Sequence, residues 1–157
     1  MISVKASLSS VDPVKLTWFA APVFPAPQGS QEMTDFAGRW CGEFQMNTTA
    51  WSAGIREREN HTGRTGHEHF PGLLVPMKGA RNTHGHVYGF HYGRSGGHRM
   101  VAEELPDGRR QIQFGHARGI ERTPQTRFET AVLYAAFSDG GINGCGVGVQ
   151  RRLRDRV

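Results

Sequence analysis

Glu59, Arg64, His67, Glu68 and His69 bring carboxylates, a guanidinium and imidazoles together on one polar stretch of the chain. Two carboxyls held ~5 to 9.5 Å apart can work as acid and base on a glycosidic bond, and an imidazole can move the proton. Glu59, His67 and Glu68 are therefore the candidate catalytic residues. A fork-shaped guanidinium and neutral imidazoles can also bind sugar hydroxyls, and an exposed flat aromatic can stack on a sugar ring. Trp51, Arg64, His67, His69 and His86 are the candidate carbohydrate-binding set, with Trp51 as the platform. A plainer reading is that Arg64 and His67 only pin the loop to its scaffold.

A second set of imidazoles, His84, His86, His91 and His98, lies nearby. A metal site would need three ligands on one face. In an extended strand His84 and His86 share a face with Tyr88, Phe90 and Tyr92, whereas His91 falls opposite. No metal is expected. The aromatic row is read as core for Phe90, and Trp40 is read as core as well.

These residues must be positioned by strands. The 21 glycines and the short apolar runs between turn signals point to an all-β antiparallel sandwich without a long helix. The stretch His84 to Gly115 reads as a three-strand meander with turns at Arg94-Ser95-Gly96-Gly97 and Pro106-Asp107-Gly108. Further strands are expected over 13–20, 38–46, 72–77 and 127–138, the last central and buried on both faces. Residues 22–36 read as a proline-rich connector. Residues 47–69 read as a long polar loop, and loops of that length in compact domains are usually functional or disordered. The alternate glycines Gly144, Gly146 and Gly148 suggest a closely packed strand, and 150–157 is a basic tail.

A chain of 157 residues forms one domain, 1–157, with a core that needs no disulfides. Its two cysteines, Cys41 and Cys145, show no ligand spacing and suit a reducing, cytoplasmic setting. No apolar run resembles a signal peptide or a membrane span. The formal charge of +5 is the excess of 19 basic over 14 acidic residues, and only Lys5, Lys15 and Lys78 of the basic set are lysines. The arginines are scattered, so nucleic acid is an unexpected partner. No phosphate loop or dinucleotide fingerprint is present, and no cofactor is expected.

Several motifs, in order, carry a resemblance: AGRWCGEFQ (37–45), GRTGHEHFP (63–71), HGHVYGFHYGRSGGHRMVAEELPDGRRQIQFG (84–115) and TAVLYAAFSDGGING (130–144). Together they resemble the N-terminal β-sandwich domain of bacterial α-galactosidases of glycoside hydrolase family 36. Gly66 stands where that family has Ser, and CGVGVQ (145–150) replaces a helical segment, which argues against the usual C-terminal helix. The resemblance implies a non-catalytic sandwich, because the family's two catalytic aspartates lie on a (β/α)8 barrel that follows this domain. Carbohydrate, a galactoside in particular, is the implied ligand. The early half of the family's sandwich has no counterpart here. A half-sandwich exposes strand edges, so a homo-oligomer is expected. The alternative is a small stand-alone glycosidase using the loop histidines and glutamates.

Overall fold

The computed structural model describes residues 1–64, 67–94, 97–119 and 123–154. Its strands are β1 (Ile2–Val4), β2 (Ser7–Val14), β3 (Ala20–Pro25), β4 (Glu32–Gly38), β5 (Gln45–Ala50), β6 (Gly54–Asn60), β7 (Glu68–Pro76), β8 (Val87–Tyr92), β9 (His98–Glu104), β10 (Arg110–His116), β11 (Gln125–Glu129) and β12 (Leu133–Ser138), followed by helix α1 (Gly141–Arg154). A six-stranded sheet, β1-β12-β8-β7-β4-β5, packs against a four-stranded sheet, β3-β10-β9-β6, and β2 pairs with β11. All these pairings are antiparallel. The fold is the all-β sandwich expected.

The core lies between the sheets. Leu73, Val75, Phe90, Tyr92 and Leu133 face inward from the larger sheet, against Met100, Ala102, Ile112 and Phe114 from the smaller. Tyr92 and Phe114 stack with ring centroids 6.2 Å apart, and Phe90 meets Phe24 of β3 at 5.9 Å. The period-two alternation of Tyr88, Phe90 and Tyr92 thus serves the core. His91 points to the opposite face, between Phe70 and Tyr134.

Several strand boundaries differ from expectation. The meander is only half realised: β9 and β10 form the hairpin through Pro106-Asp107-Gly108, but β8 pairs with β7 and β12 in the other sheet. The 93–97 connection therefore passes from one sheet to the other, and its Ser95-Gly96 centre lies outside the described residues. The reason is burial: β8 carries apolar groups on both faces and is placed inside a covered sheet. The 22–36 connector contains β3 and β4. Prolines 22 and 25 are tolerated because β3 is an edge strand with one ladder neighbour. Residues 47–69 hold most of β5, all of β6 and the first residues of β7, so that only 51–53 and 61–67 lie between strands. The charged alternation of β6, Arg56 to Glu59, is that of an edge strand with one wet face. The strand expected over 13–20 is divided, since β2 ends at Val14 and β3 starts at Ala20. Likewise 127–138 splits into β11 and β12, with Phe128 opposite Leu8 rather than in the main sheet.

The C-terminal segment is a helix despite Gly144, Gly146 and Gly148. Tertiary packing outweighs poor propensity here. The helix lies on the outer face of β12, β8 and β7. Gly89 leaves room for Cys145, which is buried against it, and any Cβ at 89 would collide with the Cys145 Sγ. A Cβ at 144 would strike the Ser138 Oγ.

Candidate functional site

Strand β4 ends in a tight turn, and the expected strand over 38–46 is in fact the β4–β5 hairpin. Gly38 has φ 145°, and a Cβ there would overlap the Gly42 carbonyl, so only glycine fits. Trp40, Cys41 and Phe44 all have positive φ values, of 26°, 61° and 61°. Non-glycine residues pay for such conformations, and clusters of them mark sites where geometry matters more than local comfort. The turn lifts Trp40 off the sheet, where it is 72% exposed. The reading of Trp40 as core is thereby corrected. A signal was available in Gly42, which interrupts the alternation that suggested a continuous strand.

Arg64 and His67, from the segment between β6 and β7, lie against this turn. The Arg64 guanidinium lies 5.5 Å from the Trp40 ring centroid, and the buried His67 ring meets Trp40 edge-on at 5.0 Å. His67 Nδ1 lies 3.3 Å from Glu43 Oε1. Arg39 Nη2 donates to Glu68 Oε1 at 2.8 Å. The result is an exposed indole flanked by one guanidinium and backed by an imidazole–carboxylate pair. Such a surface can stack on the apolar face of a sugar while donors at its rim take hydroxyls.

The loop is held from below by Asn60, which is fully buried at the end of β6. Its Nδ2 donates to the carbonyls of Arg64, His67 and His69, and its Oδ1 accepts from the Thr62 amide and hydroxyl. One side chain therefore fixes both ends of the loop. Beside it the buried His98 donates from Nε2 to the His69 carbonyl at 2.8 Å. Burial pushes the His98 imidazole down to about 4, only partly offset by that hydrogen bond. His69 is also pushed down, first by burial and then by the Arg58 charge, and burial alone lowers His91.

The structure brings together Arg64, His67 and Glu68 but separates other candidates. Glu59 sits on the smaller sheet, where its carboxylate takes the Arg118 amide at 3.3 Å and faces His61 Nε2 at 3.0 Å and Arg99 Nε at 3.4 Å. Arg99 is buried beneath Trp18, with its guanidinium 4.6 Å from the indole centroid. Trp51 is not an exposed platform: it is 9% exposed, packs in the core, and donates to Ser30 Oγ at 3.4 Å. The sequence around it is polar because its neighbours lie on edge strands, while the indole itself closes the sandwich. His69 is half-buried on β7, opposite Ala37. His86 packs on Phe137 at 5.2 Å, next to Val87, whose partner Pro76 ends β7 far from the 61–67 loop. Gly66, within the Arg64–His67 motif, lies outside the described residues. Among the described residues no three histidines, cysteines or carboxylates converge as a metal centre, and no helix is long and apolar enough to cross a membrane.

The sandwich geometry has close counterparts. The chain is 37% identical to an α-galactosidase of Escherichia coli over 141 residues, covering 87% of this chain and 20% of that protein. It is 26% identical to the α-galactosidase AgaA of Geobacillus stearothermophilus, covering 83% of this chain and 18% of the relative. It thus spans about one fifth of the length of these curated relatives. The crystal structure of a doubly substituted AgaA in complex with stachyose superposes with a TM-score of 0.69 at 23% identity, over 78% of this chain and 18% of that one. An α-galactosidase from Lactobacillus brevis gives 0.68 at 18% identity, over 78% and 17%. At those identities the structural match speaks for the fold, while the sequence matches carry kinship. The family model for the glycosyl hydrolase family 36 N-terminal domain matches residues 2–120, and this chain belongs to that family.

Proposed function

We propose that this sandwich is a non-catalytic carbohydrate-contacting domain of an α-galactosidase-type protein, with Trp40 as its sugar platform and Arg64 and His67 as flanking groups. The observation that carries this reading is the 72% exposure of Trp40 on a turn of positive-φ residues, beside the Arg64 guanidinium. Glu59 and Glu68, the carboxylates best placed in sequence for acid–base work, are each engaged by an arginine. That engagement favours contact over catalysis. Variants of AgaA have been crystallised with raffinose and with stachyose, so galactosides of that kind are the ligands to try. The same domain self-associates through its strand edges, and its unpaired thiols, Cys41 exposed and Cys145 buried, suit a cytoplasmic setting.

The test is a titration of the chain with raffinose, followed by two-dimensional amide NMR. Shifts centred on 39–44 and 61–64, lost in Trp40→Ala and Arg64→Ala, are expected. Absence of binding at millimolar sugar, or shifts that persist in Trp40→Ala, would remove the platform.

A further inference from the structure

The edges of the two sheets are guarded unequally. At one edge of the smaller sheet, β3 carries Pro22 and Pro25, and at the other, β6 carries Arg56, Glu57, Arg58 and Glu59. At one edge of the larger sheet, β1 is only three residues long and is followed by Lys5. Prolines, charges and shortness are the usual devices that stop an edge from pairing with another chain. Strand β5 has none of them. Its sequence, Gln45-Met46-Asn47-Thr48-Thr49-Ala50, contains no charge and no proline, and it pairs in unbroken register with β4 on one side only.

The surface beside β5 is apolar. Met46 is 58% and Phe44 50% exposed, and Phe44 stacks on Phe36 with centroids 4.7 Å apart. Phe36, Phe44 and Phe70 form one wall of a groove of about 590 Å³, whose other wall is α1 through Ile142, Cys145 and Val147. Helix α1 covers β12, β8 and β7, so the outer face toward β4 and β5 stays open.

We infer that β5 is the self-association edge: two copies pair β5 to β5 antiparallel about a two-fold axis, making one continuous sheet from the two larger sheets. This rests on the self-association reading above and names its surface. An antiparallel two-fold keeps both outer faces on the same side, so residues of like parity must oppose each other. The axis then falls on Asn47 or Thr48. Either register sets only uncharged side chains against each other, so the strand is complementary to itself, as a two-fold interface requires. It also brings the Phe36–Phe44 patches of both copies onto one outer surface, extending the contact beyond the strand pair. On β6 the same operation would set Arg and Glu side chains of two copies edge to edge in registers that include like-charge pairs.

Sedimentation of the wild-type chain tests this together with two lysine variants and a cross-link. The wild type is expected to be a dimer. Met46→Lys, which places a charge on the bare edge, should weaken association at least about tenfold. Ile55→Lys, an exposed site on the already charged β6, should leave it unchanged. In a Cys41→Ser background, Asn47→Cys or Thr48→Cys should form an intermolecular disulfide on mild oxidation, because a residue on the axis faces its own copy at ~4.5–5.5 Å between Cα atoms. Ile55→Cys should not. A monomeric wild type would overturn self-association as a whole. A dimer indifferent to Met46→Lys, with no cross-link from Asn47 or Thr48, would overturn the β5 assignment alone, as would an open ladder of higher species made by β5 pairing with β1.

Discussion

Arg64 reaches over Trp40 from a different segment of the chain, with the guanidinium 5.5 Å from the indole centroid. Both groups are exposed, so the pair contributes little to stability and is available to a ligand. Trp40→Ala should change unfolding free energy by less than about 0.5 kcal/mol while abolishing raffinose-dependent quenching of tryptophan fluorescence. A large loss of urea stability with sugar response intact would reverse the assignment of Trp40 from platform to support.

Asn60 is the opposite kind of residue, buried and fully used. Asn60→Ala removes the donor that three carbonyls share and leaves them inside the protein, at a cost of about 3 kcal/mol. Asn60→Asp should be no better, because an ionised carboxylate offers no N–H to those carbonyls. Equilibrium urea unfolding checks the magnitude, and faster amide exchange over 61–64 in the variant checks that the loss is local to the loop.

His98 makes stability depend on pH. Its folded value is about 4 against the ordinary 6.5, so between those values the unfolded chain binds a proton that the folded chain refuses. Stability therefore falls as pH drops from 6.5 toward 4 and stops falling, for this group, below 4; the full loss is about 3 kcal/mol. The lowered His69 and His91 act in the same direction. Glu57, whose carboxyl the Arg99 hydrogen bond holds below the usual range, adds its own loss only at more acid pH, as it becomes protonated. His98→Gln, which has an N–H for the His69 carbonyl, should flatten the curve between pH 6.5 and 4 in a series of denaturant melts. A curve of undiminished slope would exclude His98 as the source.

Gly89 and Cys145 decide whether the helix can dock. Gly89→Ala drives a methyl into the Cys145 sulfur and should cost about 2 kcal/mol or more. Cys145→Ala alone leaves a small cavity, and in the double variant the new methyl occupies part of the vacated space. The double variant should therefore be more stable than the sum of the single losses predicts, a coupling that thermal melts of all four proteins measure. Strict additivity would mean that the helix does not rest on Gly89.

The sequence by itself determined the face chemistry of the strands that its alternation marked, β8 above all. Period-two alternation set Tyr88, Phe90 and Tyr92 on one face and His91 on the other, with Phe90 in the core, and the Pro106-Asp107-Gly108 turn placed the β9–β10 hairpin. It also carried the family, since ordered motifs survive where strand boundaries blur. Which sheet each strand joins was not legible, because pairing partners are chosen by long-range burial and a strand such as β8 carries no mark of its neighbour. Trp40 and Trp51 exchanged roles for the same reason. Each indole sits in a locally ambiguous stretch, and only the closing of the sandwich buries Trp51 and leaves Trp40 on a strained turn in solvent. The helix over 141–154 was likewise decided by tertiary structure: its glycines weaken it as an isolated segment, yet Gly144 beside Ser138 and Gly89 beneath Cys145 leave room for the helix to dock on the sheet that stabilises it.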